Sequence, residues 1–222
     1  EPLPEAPAAA TAAATTHAAP ADSAAVAAAP APAPARTPVA RGPGKKFAAF
    51  LTHDWGTDQE GRDNHARVAR VAEALKLEGF SVWFDEEQMR GNINKQMTRG
   101  IEDSACVIAF VTKRYITKAD GDGPNGDDDN CKFEFDYALR RKGVKKMIAC
   151  VMEPQCRNPN EWEGVVGGKL GGLLYIDLSD DATFLDKVRD ELAVEMRTVI
   201  EGESGTADQG GGAPPGGGHP RP

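Results

Sequence analysis

The stretch FSVWFDEEQMRGNINKQMTRGIEDSACVIAFVTKRY, residues 80–115, decides the fold. Val82 and Phe84 alternate in an apolar run that Asp85 and Glu86 stop. The later run from Ala105 to Val111 is continuous enough for a strand buried on both faces. Between them Met97 and Ile101 lie one helical turn apart, Asn92 or Asn94 can cap the start, and Ser104 marks the stop. Strand, crossover helix and strand predict a parallel pair.

The same alternation extends in both directions. Upstream, KKFAAFLT (45–52) reads as a first, central strand, and HDWGTDQEGRDN (53–64) as a polar loop. From Asn64 the spacing is helical, with Val68, Val71, Ala72 and Leu75 on one face and Gly79 as the stop. Downstream, ITKADGDGPNGDDDN (116–130) is polar and Gly-rich and is expected to be an unpacked loop. CKFEFDYALRRKG (131–143) reads as a helix with apolar contacts from Phe133, Tyr137 and Leu139 and a basic last turn suited to the helix dipole. KMIACVME (146–153) and LLYIDL (173–178) are expected as the fourth and fifth strands. A last helix carries Phe184, Val188, Leu192, Met196 and Val199. Five strands alternating with helices predict an α/β chain, a flavodoxin-like three-layer sandwich with a five-stranded parallel sheet in the order 2-1-3-4-5.

Composition bounds the rest. The chain has 222 residues and a net charge of -8, with a pI near 5.1. An acidic balance argues against nucleic acid or an anionic membrane surface as partner, though a local patch can still hold a small anion. Residues 1–44 are Ala, Pro and Thr with almost no large apolar side chain and are expected to be disordered. The tail 201–222, ending GGGAPPGGGHPRP, is a linker by composition. The expected domain is therefore 45–200, a module tethered on both sides; lacking an initiator Met, the chain is read as a segment of a longer or processed protein. No apolar stretch is long enough for a membrane span.

Several motifs resemble the Toll/interleukin receptor (TIR) domain family. FAAFLTHDWG stands where the family's first box lies, and VWFDEEQMRGNI is similar to its second strand and following loop, with the aspartate at strand end and the Arg-Gly pair. GIEDSACVIAFVTKRYI matches the next helix, third strand and aromatic-ended turn, and NCKFEF resembles the Trp-Cys-x-x-Glu element. The order and spacing of these motifs over roughly 46–200 are more specific than any one of them.

In an open sheet of this order a ligand crevice lies at the carboxyl ends of strands one and three, where the connections diverge. His53, Asp54, Trp55, Thr112 and Arg114 are expected to line it. Enzymatic TIR domains bind nicotinamide adenine dinucleotide (NAD) there, so the resemblance adds Asp85, Arg90, Gly91, Ile93 and Cys131 as candidate contacts. It also implies Glu134, three positions after Cys131, as the catalytic glutamate. Nicotinamide is a positively charged leaving group that departs neutral, so one carboxylate near the ribose suffices where ordinary glycosidases need two. Without the motif, Glu134 reads as an exposed helix residue paired with a nearby Lys or Arg. Two positions depart from the family. Asn130 replaces the Trp before the cysteine, with Trp55 as a stacking substitute. Ile93 stands where an animal enzymatic member offers an aromatic.

The remaining features have plainer readings. The aspartates at 120, 122 and 127–129 lack the ligand spacing of a calcium loop, so no metal site is expected. Cys106 and Cys150 lie in apolar strands while Cys131 and Cys156 sit nearer loops, without zinc or disulfide spacing, which favours a reducing, cytoplasmic setting. His65 reads as a helix-surface residue and His53 as either strand-end packing or a ligand contact. The charged loop 85–92 is expected to order only when it meets a neighbouring domain. Two functions remain: a self-associating NAD-cleaving hydrolase or cyclase with NAD as substrate and no bound cofactor, and a non-catalytic TIR-TIR scaffold. A phospho-receiver is excluded because Thr112 stands where the acceptor aspartate would end the third strand.

Overall fold

Five strands form one parallel sheet in the order β2-β1-β3-β4-β5: β1 (Phe47–Thr52), β2 (Val82–Trp83), β3 (Ser104–Val111), β4 (Met147–Val151) and β5 (Tyr175–Asp177). The computed structural model describes residues 41–84 and 93–202. Every residue of β3 is buried, as its unbroken apolar run requires for a strand covered on both faces. Its side chains divide between two cores. Cys106, Ile108 and Phe110 join the layer of α1 (Asn64–Leu77) and the C-terminal helix; Val107, Ala109 and Val111 face α2 (Ile93–Asp103), α3 (Lys113–Asp120), α4 (Asn130–Lys142) and α5 (Gly164–Leu170). This is the expected three-layer flavodoxin-like sandwich.

Local chemistry sets the helix ends. Asp63 caps α1 by accepting from the Ala66 amide at 3.0 Å. Gly79 follows at φ +89°, a conformation that costs side-chain-bearing residues steric energy, and ends it as expected. In α2 the buried residues are Met97, Gly100 and Ile101. A Cβ at position 100 would lie 2.6 Å from the Trp83 ring, so only glycine lets the helix seat on that indole. Trp83 in turn stacks on Phe50 with ring centroids 4.4 Å apart.

Several expected boundaries shift. Asn94 lies inside α2 rather than capping it, its carbonyl accepting from Thr98, while Asn92 falls outside the described residues. Residues 116–120, expected as part of an open loop, belong to α3: Thr112 caps the helix, and Tyr115, Ile116 and Ala119 are buried on an apolar face too short to stand out in sequence. In α4 the buried positions are Cys131, Glu134, Phe135 and Ala138. Phe133, Tyr137 and Leu139 are partly buried and pack against the same core, as expected, with Phe133 and Tyr137 also stacked on one another. Leu173 and Leu174 precede β5 rather than belonging to it, and Leu174 is 98% exposed.

The C-terminal helix comprises α6 (Phe184–Lys187), a π-helical turn (Val188–Leu192) and α7 (Ala193–Glu201). Phe184, Val188, Leu192, Met196 and Ile200 are all buried, while Val199 is only partly so. Their four-residue repeat overshoots a turn of about 3.6 residues, so in a pure α-helix the stripe would drift around the axis. One wider π-turn at the centre restores the register and keeps all five on the sheet.

Candidate functional site

β1 ends at Thr52, and the chain leaves the sheet through His53 and Trp55 on the side where β3 feeds α3. At this divergence opens a cleft of about 260 Å³, lined by His53 and Trp55 from the first loop, Met97 of α2, Lys118 of α3, and Asn130, Cys131 and Glu134 of α4. Asn125 and Asp129 complete the lining from the turn before α4.

Glu134 is 7% exposed, so the expectation of a surface glutamate paired with a cation is replaced by a buried carboxylate. The Thr52 hydroxyl donates to its Oε2 at 2.7 Å. That leaves the Thr52 oxygen to accept from the Tyr115 phenol at 3.1 Å, giving a Tyr115–Thr52–Glu134 chain whose proton directions are fixed by the terminal acceptor. Burial, with the nearby Cys131 and Glu134 adding to it, pushes the Tyr115 phenol well above its ordinary range, so it stays a donor.

Cys131 is held beside this chain as a thiol. Burial and the adjacent Glu134 carboxylate raise it far from the range of a reactive thiolate, and its Sγ donates to the His53 carbonyl at 3.5 Å. Cys156, expected near a loop, is likewise fully buried. Asp129 differs from the other aspartates of its loop. It is fully buried, caps α4 by accepting from the Cys131 amide at 2.9 Å, and also accepts from the Asn125 side chain. It thereby fixes the start of α4, whose second turn carries Glu134.

The aromatic side of the cleft comes from the first loop. Trp55, 53% exposed, stacks on His65 at 4.0 Å between centroids. His65 is not a free-standing surface residue: its Nδ1 lies 2.8 Å from His53 Nε2, and its ring also stacks on Phe84. Trp55 and Asn130 both line the cleft.

Other expected residues sit elsewhere. Asp54 is buried beside the cleft and does not line it; it accepts from Arg114 Nε at 2.8 Å, Lys118 Nζ at 2.9 Å and the Gly56 amide at 2.9 Å. Burial opposes its charge, but the Arg114 and Lys118 hydrogen bonds outweigh that and hold its carboxyl below the usual range. A carboxylate so placed must be paired, which explains its absence from the lining. Lys118 shows the converse balance, burial working against its charge and the Asp54 bond raising it. Thr112 serves as the α3 cap, accepting from the Tyr115 amide at 3.0 Å, and Arg114 points to Asp54, so neither reaches the cleft. Ile93 begins α2 and is 45% exposed, outside the lining. Asp85, Arg90 and Gly91 lie outside the described residues. Among the described residues no group of three or more His, Cys, Asp or Glu side chains is arranged to hold a metal.

Thr52, Tyr115, Met97, Lys118 and Asp129 were not singled out by sequence as site residues. The signal for Thr52 was a lone hydroxyl at the end of an apolar strand, and for Asp129 its place one residue before a helix start.

A sequence model of the TIR domain matches residues 50–193, from within β1 to the start of α7. The chain belongs to the TIR domain family. No curated protein and no solved structure matches it. As a TIR domain it is a signalling module, and the sheet order 2-1-3-4-5 is the one its family fold requires. No helix among the described residues of this TIR domain is long and apolar enough to cross a membrane.

Proposed function

We propose that this TIR domain works in the cytoplasm, self-associates, and cleaves NAD at the bond between nicotinamide and ribose, taking NAD as substrate and not as a resident cofactor. The observation that carries the reading is Glu134: a buried carboxylate at the topological switch point, held by Thr52 and lining the same cleft as Trp55. Breaking the C1′–N bond sends its electron pair to the pyridinium nitrogen, and nicotinamide leaves neutral, so no acid is required. Positive charge then develops on the ribose, where a carboxylate in a poorly hydrated site stabilises it strongly. Water adds to C1′ and releases a proton, giving ADP-ribose; a nucleophile within the same dinucleotide would give a cyclised product instead.

Trp55 offers a face for the nicotinamide ring, and Lys118 adds a cation to the lining. A volume of about 260 Å³ falls just below the usual range for ligand pockets, which begins at about 300 Å³. It suits the nicotinamide riboside half, with the adenosine half along the rim. The small volume and Asn130 in place of an aromatic favour the second reading, a scaffold that acts by TIR-TIR contact without chemistry. Nicotinamide release from NAD, followed with the purified full chain at high concentration, separates the two.

A further inference from the structure

The net charge of -8 conceals a strongly dipolar distribution. At the amino end of α4 the loop 120–128 exposes Asp120, Asp122, Asp127 and Asp128. At the carboxyl end the segment RRKGVKK, residues 140–146, presents Arg140, Arg141, Lys145 and their neighbours. Lys45 joins them, since Lys45 Nζ and Lys142 Nζ share the Glu102 carbonyl as acceptor. The 13 residues of α4 hold the two poles roughly 20 Å apart, at about 1.5 Å per residue.

Among the described residues, neither pole is fully paired. Of the acidic loop, Asp127 has only a long 3.8 Å contact to Lys132 and is 92% exposed, and Asp120 accepts from the Val165 amide. Asp122 and Asp128 have no side-chain partner among the described residues. At the basic pole Arg141 pairs with Glu102 and Lys46 with Asp103, but Arg140 contacts only the Tyr137 ring, and Lys145 has no acidic partner among the described residues. Basic residues at a helix C-terminus answer its dipole, yet that effect ends within the last turn and does not account for Lys145 beyond Gly143.

We infer that the acidic loop 120–128 of one copy docks on the basic pole 140–146 of a second copy, so that this domain associates head to tail. The inference deepens the self-association proposed above and names its surfaces. Two different patches meet, so the contact is heterologous, and each copy leaves one pole open for the next. The acidic loop contains Asn125 and adjoins Asp129, both of the cleft lining. A docked neighbour therefore brings Arg140 and Lys145 to the cleft rim, where the pyrophosphate of a dinucleotide needs positive charge.

The test uses sedimentation velocity on the full chain, with circular dichroism to verify folding. Wild type is expected to exceed its monomer mass of 23.6 kDa at low salt and to dissociate as salt rises. Screening length falls from about 10 Å at 0.1 M to about 3 Å at 1 M. R140E/K145E gives a chain acidic at both ends and D122K/D128K one basic at both ends. Each alone is expected to associate at least about tenfold more weakly, and an equimolar mixture to recover association. Association unaffected by salt and by both reversals, or variants that fail to recover when mixed, overturns the pole pairing. Because mass is measured and not NAD cleavage, failure here is distinct from failure of the catalytic assignment.

Discussion

The hydroxyl of Thr52, the last residue of the central strand, donates to Oε2 of Glu134 on α4 at 2.7 Å, joining the sheet to the helix at the cleft floor. Thr52→Val keeps the shape of the strand and removes the donor. A hydrogen bond to a charged group contributes about 1.5–3 kcal/mol, so a loss of roughly 10–100-fold in kcat is expected with a smaller change in KM. Steady-state NAD cleavage checks this. Unchanged kcat would mean that Thr52 does not orient the reacting carboxylate.

Asp54 links the first loop to α3 through Arg114 and Lys118. Its carboxyl is held below the usual range, so the folded state binds its proton less readily than the unfolded chain. The stabilisation is therefore present above an unfolded value of about 3.9 and is lost as pH falls through the lower folded value. Asp54→Asn is expected to destabilise by about 1.5–3 kcal/mol at pH 7. The difference from wild type should shrink below about pH 4, as read by denaturant titration across pH.

Gly100 meets Trp83 where any side chain would overlap the indole. Gly100→Ala must displace α2 or unstack Trp83 from Phe50, an overpacking cost of about 1–3 kcal/mol. A lowered Tm with altered tryptophan fluorescence is the expected outcome; a gain in Tm from the better helix former would contradict the packing.

Burial pushes the Cys106 thiol up to about 12, whereas an unfolded thiol ionises near 8.5. A folded value raised above the unfolded one gives stability that is complete below about pH 8.5 and is lost as pH rises toward 12. Cys106→Ala should make the fall in stability between about pH 8.5 and 11 shallower by one proton, up to about 1.4 kcal/mol per pH unit. Equal slopes for the two proteins would show that this thiol is not buried.

The strands that order the sheet were legible because burial on both faces leaves long apolar runs, as in Ala105–Val111. The third helix was not: Lys113–Asp120 is mostly polar, and only Tyr115, Ile116 and Ala119 turn inward. Leu173 and Leu174 misled in the opposite sense, apolar residues left outside the strand they precede. At the site, motif spacing located Glu134 and the strand end located His53 and Trp55. What sequence could not supply was partnership across the fold. Asp54 is drawn away from the cleft by Arg114 and Lys118, some sixty positions on, and Glu134 is fixed by Thr52 from 82 positions away.

The most direct measurement is nicotinamide release from NAD by wild type and by Glu134→Gln, both at high protein concentration and both verified as folded. The amide keeps the size of the side chain and removes the charge that opposes the ribose cation. Release by wild type and its loss in Glu134→Gln, by about 100-fold or more, is the predicted result. Equal release by the two proteins, or none from wild type, would contradict the assignment of Glu134 as the catalytic carboxylate.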